Sequence, residues 1–535
     1  MIQVEDLPLS WFDRPQYRPR IRRPDGGESW FALSEAIPRE TAVPLASPRE
    51  PAAGRRALRR TFEETYDSWG LRRSAEALRA LEAVESPGTA LVVTGQQPGF
   101  LASPLYAIYK ALGAIAAARR IERDTGRPAV PVFWVAGDDH DLDEVRSGVF
   151  PATGGGEATF SYPGPSDRRP LSSHLVEGEA AAVIEAAALE LSRRRNGEEA
   201  ARLARLYVGR NLASGFAAIL EDLLGGEGLL VVDPARLRPM ARAVIRKVIE
   251  SPEAVLEAIE EGRGEVRERG MEPLVAARLP LFILEEGRRM HLTTAGGGGS
   301  LRIDGEGGKE LSKEGLLDLL EKSPELFSHG ALLRPIVQEH VLPSVLSIGG
   351  PAEVGYFAQI GPLARLLGSP APRIALRPGA TLVDGKAARF AREAGLERIA
   401  SAPRPEDLLE PSEEPPAIRA ARELAGKAEE ALARAARDHA SPAKAGRLEA
   451  RGREIAEDMR RLVDRIHRDE ANAAKGASDA RKLWDQIFPG GELQERRWTA
   501  LHFVAKHGRE WIGGLLRAIE AEPLGTAHRW VTFEG

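Results

Sequence analysis

Two short segments gather polar side chains between apolar runs. Residues 94–110 read TGQQPGFLASPLYAIYK and residues 131–145 read PVFWVAGDDHDLDEV. The apolar runs at 90–94 and 130–136 lack alternation, as strands buried on both faces of a parallel sheet do. Just past the second run stand Asp138, Asp139, His140, Asp141, Asp143 and Glu144. Ionisable groups at the carboxyl end of a buried strand usually serve a ligand crevice, so Asp139 and His140 read as candidate catalytic groups of such a crevice. Asp141 is a third candidate for that chemistry, although Asp141 and Glu144 also stand at capping-box spacing, which would only start a helix. One histidine among adjacent aspartates is not a spaced ligand set, so no metal ligands are assigned. Asn at position 139 is expected to lower turnover with little loss of stability.

In the first segment, Gln96 and Gln97 offer donors and acceptors. Ser103 suits an N-cap with Pro104 at the first helical position, and Leu105, Ile108, Leu112 and Ile115 recur at helical spacing. The free N–H groups of that helix start favour a phosphate or carboxylate. Lys110 faces either the site or solvent, and Tyr106 is either a site hydroxyl or a core aromatic. A third polar-in-apolar stretch, 332–368, carries Arg334, Gln338, Glu339, Glu353 and Tyr356. Its apolar run 345–348 ends in Gly349-Gly350-Pro351, a turn that lets backbone N–H groups approach an anion, or simply a tight turn.

These residues need a frame. A strand, polar loop, helix and second strand make one βαβ unit, whose loops leave the carboxyl ends of the strands, where open α/β sheets bind ligands. Another buried-strand pattern at 228–233, GLLVVD, resumes the alternation after an insertion at about 151–225. A hairpin flanking Gly287 and a glycine-rich loop mark a second insertion at about 250–330. The fold class is therefore α/β with a parallel-sheet core over 89–410, preceded by a helical lead-in at 1–88. From 411 to 480 the composition shifts to Ala, Arg and Glu, and Ile455, Met459, Leu462 and Ile466 follow coiled-coil spacing. HASP at 439–442 interrupts it, so two antiparallel helices turning near Ser441 are expected, with a homodimer surface along their seam. Residues 481–535 supply a helical return to the core.

With 535 residues and 43% hydrophobic content the chain can bury a large core. Its 74 basic and 79 acidic residues are interleaved and leave a formal charge of −5, which gives nucleic acid no basic field to bind. No apolar run approaches the roughly 20 residues that span a bilayer, and the opening MIQVEDLPLSWFDRP lacks signal-peptide order, so a soluble cytoplasmic protein without membrane partners is expected. The absence of cysteine removes disulfides, thiolate zinc sites and a cysteine nucleophile. Neither a Walker lysine motif, a complete G-x-G-x-x-G nor a G-x-S-x-G elbow occurs.

Together with LLRPIVQEHVLPSVLSIGGPAEVGYFAQIGPL and LQERRWTALHFVAKHG, the two opening segments resemble, in the same order, the signature segments of the bacillithiol-biosynthesis cysteine-adding enzyme family. The resemblance runs from about residue 60 to the end. It implies a Rossmann-like core akin to that of class I aminoacyl-tRNA synthetases, with connecting insertions and a C-terminal coiled coil used for dimerisation. The implied reaction joins the carboxyl of cysteine to the amine of glucosaminyl-malate, the last step of bacillithiol synthesis. Such a condensation in water needs an activated carboxyl, so ATP or ADP is the expected cofactor, with Mg²⁺ left open. In that frame the 96–103 loop would hold phosphate or carboxylate, Asp139 and His140 would serve the amine, and Arg334 would neutralise malate. The sequence departs from the family at Asp138, where Glu is common, keeping charge but shortening reach. Two other readings stay open: an adenylate-forming ligase or nucleotidyl transferase for a different amino acid, and a non-catalytic nucleotide-binding dimeric scaffold.

Overall fold

The computed structural model describes residues 2–7, 51 and 53–533, apart from 270–271, 296–298, 306–307, 343, 371, 403, 410–415, 438–441, 474–475 and 522–527. Residues 8–50 of the lead-in and the hairpin turn expected near Ser441 lie outside the described residues. Two compact units emerge: Ile2–Thr381 with Glu492–Val531, and Leu382–Gly491 with the last residues of the chain. The second unit thus begins ahead of the expected boundary at 411.

The larger unit is organised by a five-stranded parallel sheet. In chain order its strands are β1 (Ala90–Gln96), β2 (Ala129–Val135), β3 (Leu230–Val232), β4 (Leu346–Gly349) and β5 (Ile374–Leu376). In space the order is β3-β2-β1-β4-β5, with parallel pairing throughout. The chain winds outward from β1 in one direction, then returns to place β4 on its other side. The gap between the carboxyl ends of β1 and β4 is therefore the topological switch point, where doubly wound sheets bind ligands. Register fixes that gap: Thr94 is opposite Ile348 and donates its hydroxyl to the Ile348 carbonyl at 2.8 Å.

Helix α1 (Tyr106–Thr125) links β1 to β2, and all of 107–118 is buried. A sheet face covers one side, and its alanines admit close packing on the other. At Gly113 a Cβ would stand 2.7 Å from Pro378. The helix starts later than expected and without a serine cap. Residues Phe100–Ala102 form a 3-10 turn, the Ser103–Pro104 peptide is cis, and the N-cap position falls on Leu105. The Leu105 amide donates to the Trp498 carbonyl, while Ala107 and Ile108 donate to Pro104 and Leu105. Those bonds occupy the donors that an anion would have used.

Both insertions lie within the larger unit. The first supplies three helices, Gly178–Ser192, Gly197–Arg205 and Leu212–Leu224. The second contains a five-stranded antiparallel sheet whose central strands, Leu281–Glu285 and Arg288–Thr294, turn at Gly287 with φ of 74°. Phe327–His329 pairs with Leu281–Glu285 at its edge.

In the smaller unit, α4 (Pro416–Arg437) and α5 (Pro442–Ala473) pack side by side. Their buried face is made mostly of small residues, Ala425 and Ala436 on α4 and Gly452 and Ala456 on α5, with Ile418 and Val463 beside them. Gly452 is required there, because a Cβ would lie 2.8 Å from the Leu432 Cβ. The seam is displaced from the expected one. Ile455 and Leu462 are 38% and 56% exposed, since close backbone approach selects the small residues and leaves the large ones outside. The Ile466 side chain falls outside the described residues.

Candidate functional site

At the switch point the sheet opens into a cavity of about 500 Å³. β1 brings Gly95, Gln96 and Gln97 to its edge. Gly95 has no room for a side chain, since a Cβ would stand 2.8 Å from the Trp134 carbonyl oxygen.

One side of the cavity is built on buried ions. Lys110, in the second turn of α1, donates to the Gly95 carbonyl at 2.9 Å and to Gln96 Oε1 at 2.8 Å, and it pairs with Glu353. Burial pushes the ammonium pKa down, against the opposing pull of Glu353. Helix α2 (Arg334–Val341) contributes Arg334, which donates to Tyr356 Oη at 2.7 Å, Glu353 Oε1 at 3.3 Å and Gln338 Oε1 at 3.0 Å. Glu353 and Tyr356 come from α3 (Pro351–Phe357), which follows β4. Burial alone would raise the Glu353 pKa, yet Lys110 and Arg334 outweigh it and hold the carboxyl ionised. The Glu353 carboxylate also accepts the Gly350 amide at 2.8 Å. The N–H at this glycine turn therefore meets an internal carboxylate instead of a ligand. Two cations around one anion leave this side net positive.

Tyr106 sits beside that triad, its hydroxyl accepting from Gln96 Nε2 at 3.3 Å. Burial pushes its pKa up to about 12, so it remains protonated. Arg377, just past β5, lies 5.0 Å from the Tyr106 ring centre and forms a buried two-point ion pair with Glu495. Arg496, next to it in sequence, is exposed at the rim, and its guanidinium makes no ion pair among the described residues.

The opposite side is acidic. Gln97 Nε2 donates to Asp139 Oδ2 at 2.9 Å and to Glu144 Oε2 at 3.0 Å. Asp139 Oδ1 accepts the His140 amide at 2.7 Å and Arg289 Nη1 at 3.2 Å. Burial opposes ionisation of Asp139, but the hydrogen bonds from His140 and the Arg289 charge prevail and hold its pKa far below the usual carboxylate range. Arg289 arrives from the antiparallel insertion sheet. It donates to Ser328 Oγ at 3.0 Å and the His329 carbonyl at 2.7 Å, and its guanidinium lies 3.9 Å from the Phe282 ring centre. Arg289 Nη1 also lies 2.9 Å from His140 Nδ1. The same Nδ1 lies 3.4 Å from Asp139 Oδ1, so it stands between the guanidinium and the carboxylate. Asp138 lines the cavity too, but its short carboxylate pairs with buried Arg238 at 3.4 Å.

Nine candidates from the sequence therefore meet around one cavity: Gln96, Gln97, Tyr106, Lys110 and Asp139 from the first two segments, Arg334, Gly350, Glu353 and Tyr356 from the third. Five do not line it. Ser103 is buried behind the 3-10 turn, and Gln338 and Gly349 lie under the wall, with Gln338 donating to Ser347 Oγ at 3.0 Å. Asp141 is exposed and accepts the Glu144 amide at 3.4 Å as the N-cap of Leu142–Val145, the helix-starting role its spacing allowed. His140 turns to a neighbouring cavity.

Sequence reasoning missed Trp134, Phe282, Arg289, His329, Arg377 and Arg496. His329 carries no local signal, since a lone histidine on a short edge strand resembles any other. In the structure it lines the cavity 5.6 Å from the Trp134 ring, its Nδ1 buried without a hydrogen bond among the described residues. Burial outweighs the nearby Asp138 charge and pushes its pKa down to about 4. The ring is thus neutral at pH 7.

The Arg289 contacts change what is expected of Asp139. Asp139→Asn leaves a buried guanidinium without its carboxylate, so unfolding free energy should fall by about 1–3 kcal/mol in urea denaturation. Adding Arg289→Met should recover part of that loss. Unchanged stability in the single variant would show that Arg289 does not depend on this carboxylate.

Residues 35–378 match the family model described as "Bacillithiol biosynthesis BshC, N-terminal Rossmann-like domain", and residues 435–533 match "Bacillithiol biosynthesis BshC, C-terminal coiled-coil domain". A relative from Solibacter usitatus, named "Putative cysteine ligase BshC", is 31% identical over 462 residues, covering 83% of this chain and 85% of its own. One of the same name from Geobacillus kaustophilus is 28% identical, covering 90% and 94%. Among solved structures, the Thermus thermophilus arginyl-tRNA synthetase is 11% identical with a TM-score of 0.20, covering 93% of this chain and 87% of that one. The first family match alone takes in well over half of the sequence, and the chain belongs to the bacillithiol-biosynthesis BshC family.

Proposed function

We propose that this protein is an amide-forming ligase that joins the carboxyl group of cysteine to the amine of glucosaminyl-malate, with ATP activating the carboxyl group. The observation that carries this reading is the division of the switch-point cavity: a net-positive side built on Lys110, Arg334 and Arg377 faces an acidic side built on Asp139 and Glu144, with neutral His329 in the wall. A condensing enzyme must hold anionic phosphate or carboxylate next to a cationic amine, and this cavity offers each its complement. ATP, when bound, supplies the phosphoryl or adenylyl group that turns a carboxylate oxygen into a leaving group. Lys110 and Arg334 set the positive field, and Arg496 has a guanidinium to give to phosphate or carboxylate. Asp139 and Glu144 hold the ammonium group, and His329 takes the proton released as the carbon–nitrogen bond forms. Among the described residues no group of three His, Asp or Glu is placed to hold a metal, so Mg²⁺ is read as a companion of nucleotide phosphate.

Incubation of the purified protein with cysteine, glucosaminyl-malate and ATP is expected to yield bacillithiol with matching nucleotide cleavage, followed by mass analysis. Nucleotide cleavage driven by a different amino acid, with no cysteine adduct, would overturn the substrate assignment.

The depressed His329 pKa sets a pH signature. Its neutral form persists far below the ordinary histidine range, so kcat at saturating substrate should hold from pH 8 through about 6, without a fall centred near 6.5. His329→Gln should lower kcat by at least about a hundredfold with an unchanged melting temperature. A variant of near-normal turnover would remove His329 from proton transfer.

The hairpin face bearing exposed Leu424, Ile455 and Leu462 is read as a homodimer surface, because these large apolar side chains take no part in the α4–α5 seam. Light scattering should report a dimer for the native chain and a monomer for Ile455→Asp combined with Leu462→Asp. A native monomer at tens of micromolar, or a dimer that survives both changes, would rule this surface out.

A further inference from the structure

Beside the switch-point cavity lies a second one, of about 470 Å³, inside the same unit. The two share a wall made by Phe282, Arg289, Gly330 and Ala331. Adjacent residues serve opposite sides of that wall: Asp139 lines the first cavity and His140 the second, and both are held by Arg289 Nη1, at 3.2 and 2.9 Å. The second cavity is thus separated from the acidic side of the first by this one layer of residues.

The second cavity has its own chemistry. Arg168 and Arg278 line it, both exposed, and neither guanidinium makes an ion pair or hydrogen bond among the described residues. Arg168 is also held in the left-handed region, with φ of 66°, while its carbonyl accepts the Arg289 amide at 2.8 Å. That bond ties the residue to the strand that forms the shared wall. Non-glycine residues in this conformation persist only where their surroundings fix them. The lining has one carboxylate, Asp304, and Arg289 is already committed to Asp139, so the two uncommitted arginines leave an excess of positive charge. His291 completes the set. Its Nε2 lies 2.6 Å from the Leu279 carbonyl and must donate to it, which leaves Nδ1 as an acceptor for a hydroxyl.

We propose that this second cavity binds a hydroxylated dicarboxylate, with Arg168 and Arg278 taking the carboxylates and His291 the hydroxyl, and that this group is the acidic arm of the amine substrate. The assignment rests on the ligase reading above and deepens it. Anchored by that arm, the substrate directs its amine past Arg289 toward Asp139, while cysteine and the activating nucleotide occupy the first cavity. Two cavities with a common wall thereby keep the acidic arm of one substrate away from the phosphate side that another needs.

Calorimetric titration of the whole protein with malate and with glucosaminyl-malate, without ATP or cysteine, tests this directly. Both probes should bind, and Arg168→Ala combined with Arg278→Ala should weaken each by at least about tenfold with an unchanged melting temperature. Arg278→Lys should keep part of the affinity, because it restores charge without the planar fork. If glucosaminyl-malate binds the double variant as it binds the native protein, or if Arg496→Ala alone abolishes binding, the carboxylates sit in the first cavity and the proposal is overturned while the ligase reading stands. Failure of both probes to bind the native protein also overturns it. Arginine-dependent binding of malate by a protein that forms no cysteine adduct would support the site and sink the ligase reading instead.

Discussion

A carboxylate between two buried cations is the constraint on which the switch-point cavity depends. Lys110 lies in a helix turn where its side chain is 4% exposed, and an unpaired charge there would cost several kcal/mol. Glu353 supplies the counter-charge from the opposite side of the sheet's reversal point, and Arg334 completes the triad from a third element. One ionic network thus ties together α1, α2, α3 and the end of β1. The same network leaves a net positive charge facing the cavity, so the arrangement that permits burial also sets the field a ligand meets.

Arg289 plays the corresponding part on the acidic side. It belongs to the insertion, not to the parallel sheet, yet it reaches Asp139, His140 and the His329 carbonyl. The insertion is therefore a structural half of the site. Its sheet closes the crevice that the βαβ units leave open, and it divides the enclosed space in two. Asp139 cannot be read as an isolated acid or base in such a setting, because its ionised state is part of what keeps Arg289 buried.

In the hairpin unit, packing distance decides which residues are inside. Gly452 and the alanines let the helices approach closely, so Ile455 and Leu462 face outward although their spacing is that of a seam. Spacing alone identifies an apolar stripe. Whether that stripe faces the neighbouring helix or another surface depends on the volume of the side chains one position away.

Much of this was legible along the chain. Apolar runs without alternation located β1, β2, β3 and β4 to within two residues, because strands buried on both faces must be apolar throughout. Polar residues that interrupt such runs had to be paired or to face a ligand, which is why Gln97, Asp139, Lys110, Arg334 and Glu353 stood out and why they converge. The Ser103 cap failed for a reason no local pattern contains: the amide it would have prepared is taken by the Trp498 carbonyl, nearly four hundred residues away in sequence. His329, Arg289 and Arg377 were invisible for the same kind of reason. Each occupies an ordinary sequence context, and only the folding of the insertion sheet and of the last core strand carries it to the switch point, where burial and neighbouring charge give it a chemical role. Local composition thus determined the strands and the ions that had to be buried, whereas the long-range contacts that pair those ions, and so decide which faces a ligand, were fixed by the tertiary structure alone.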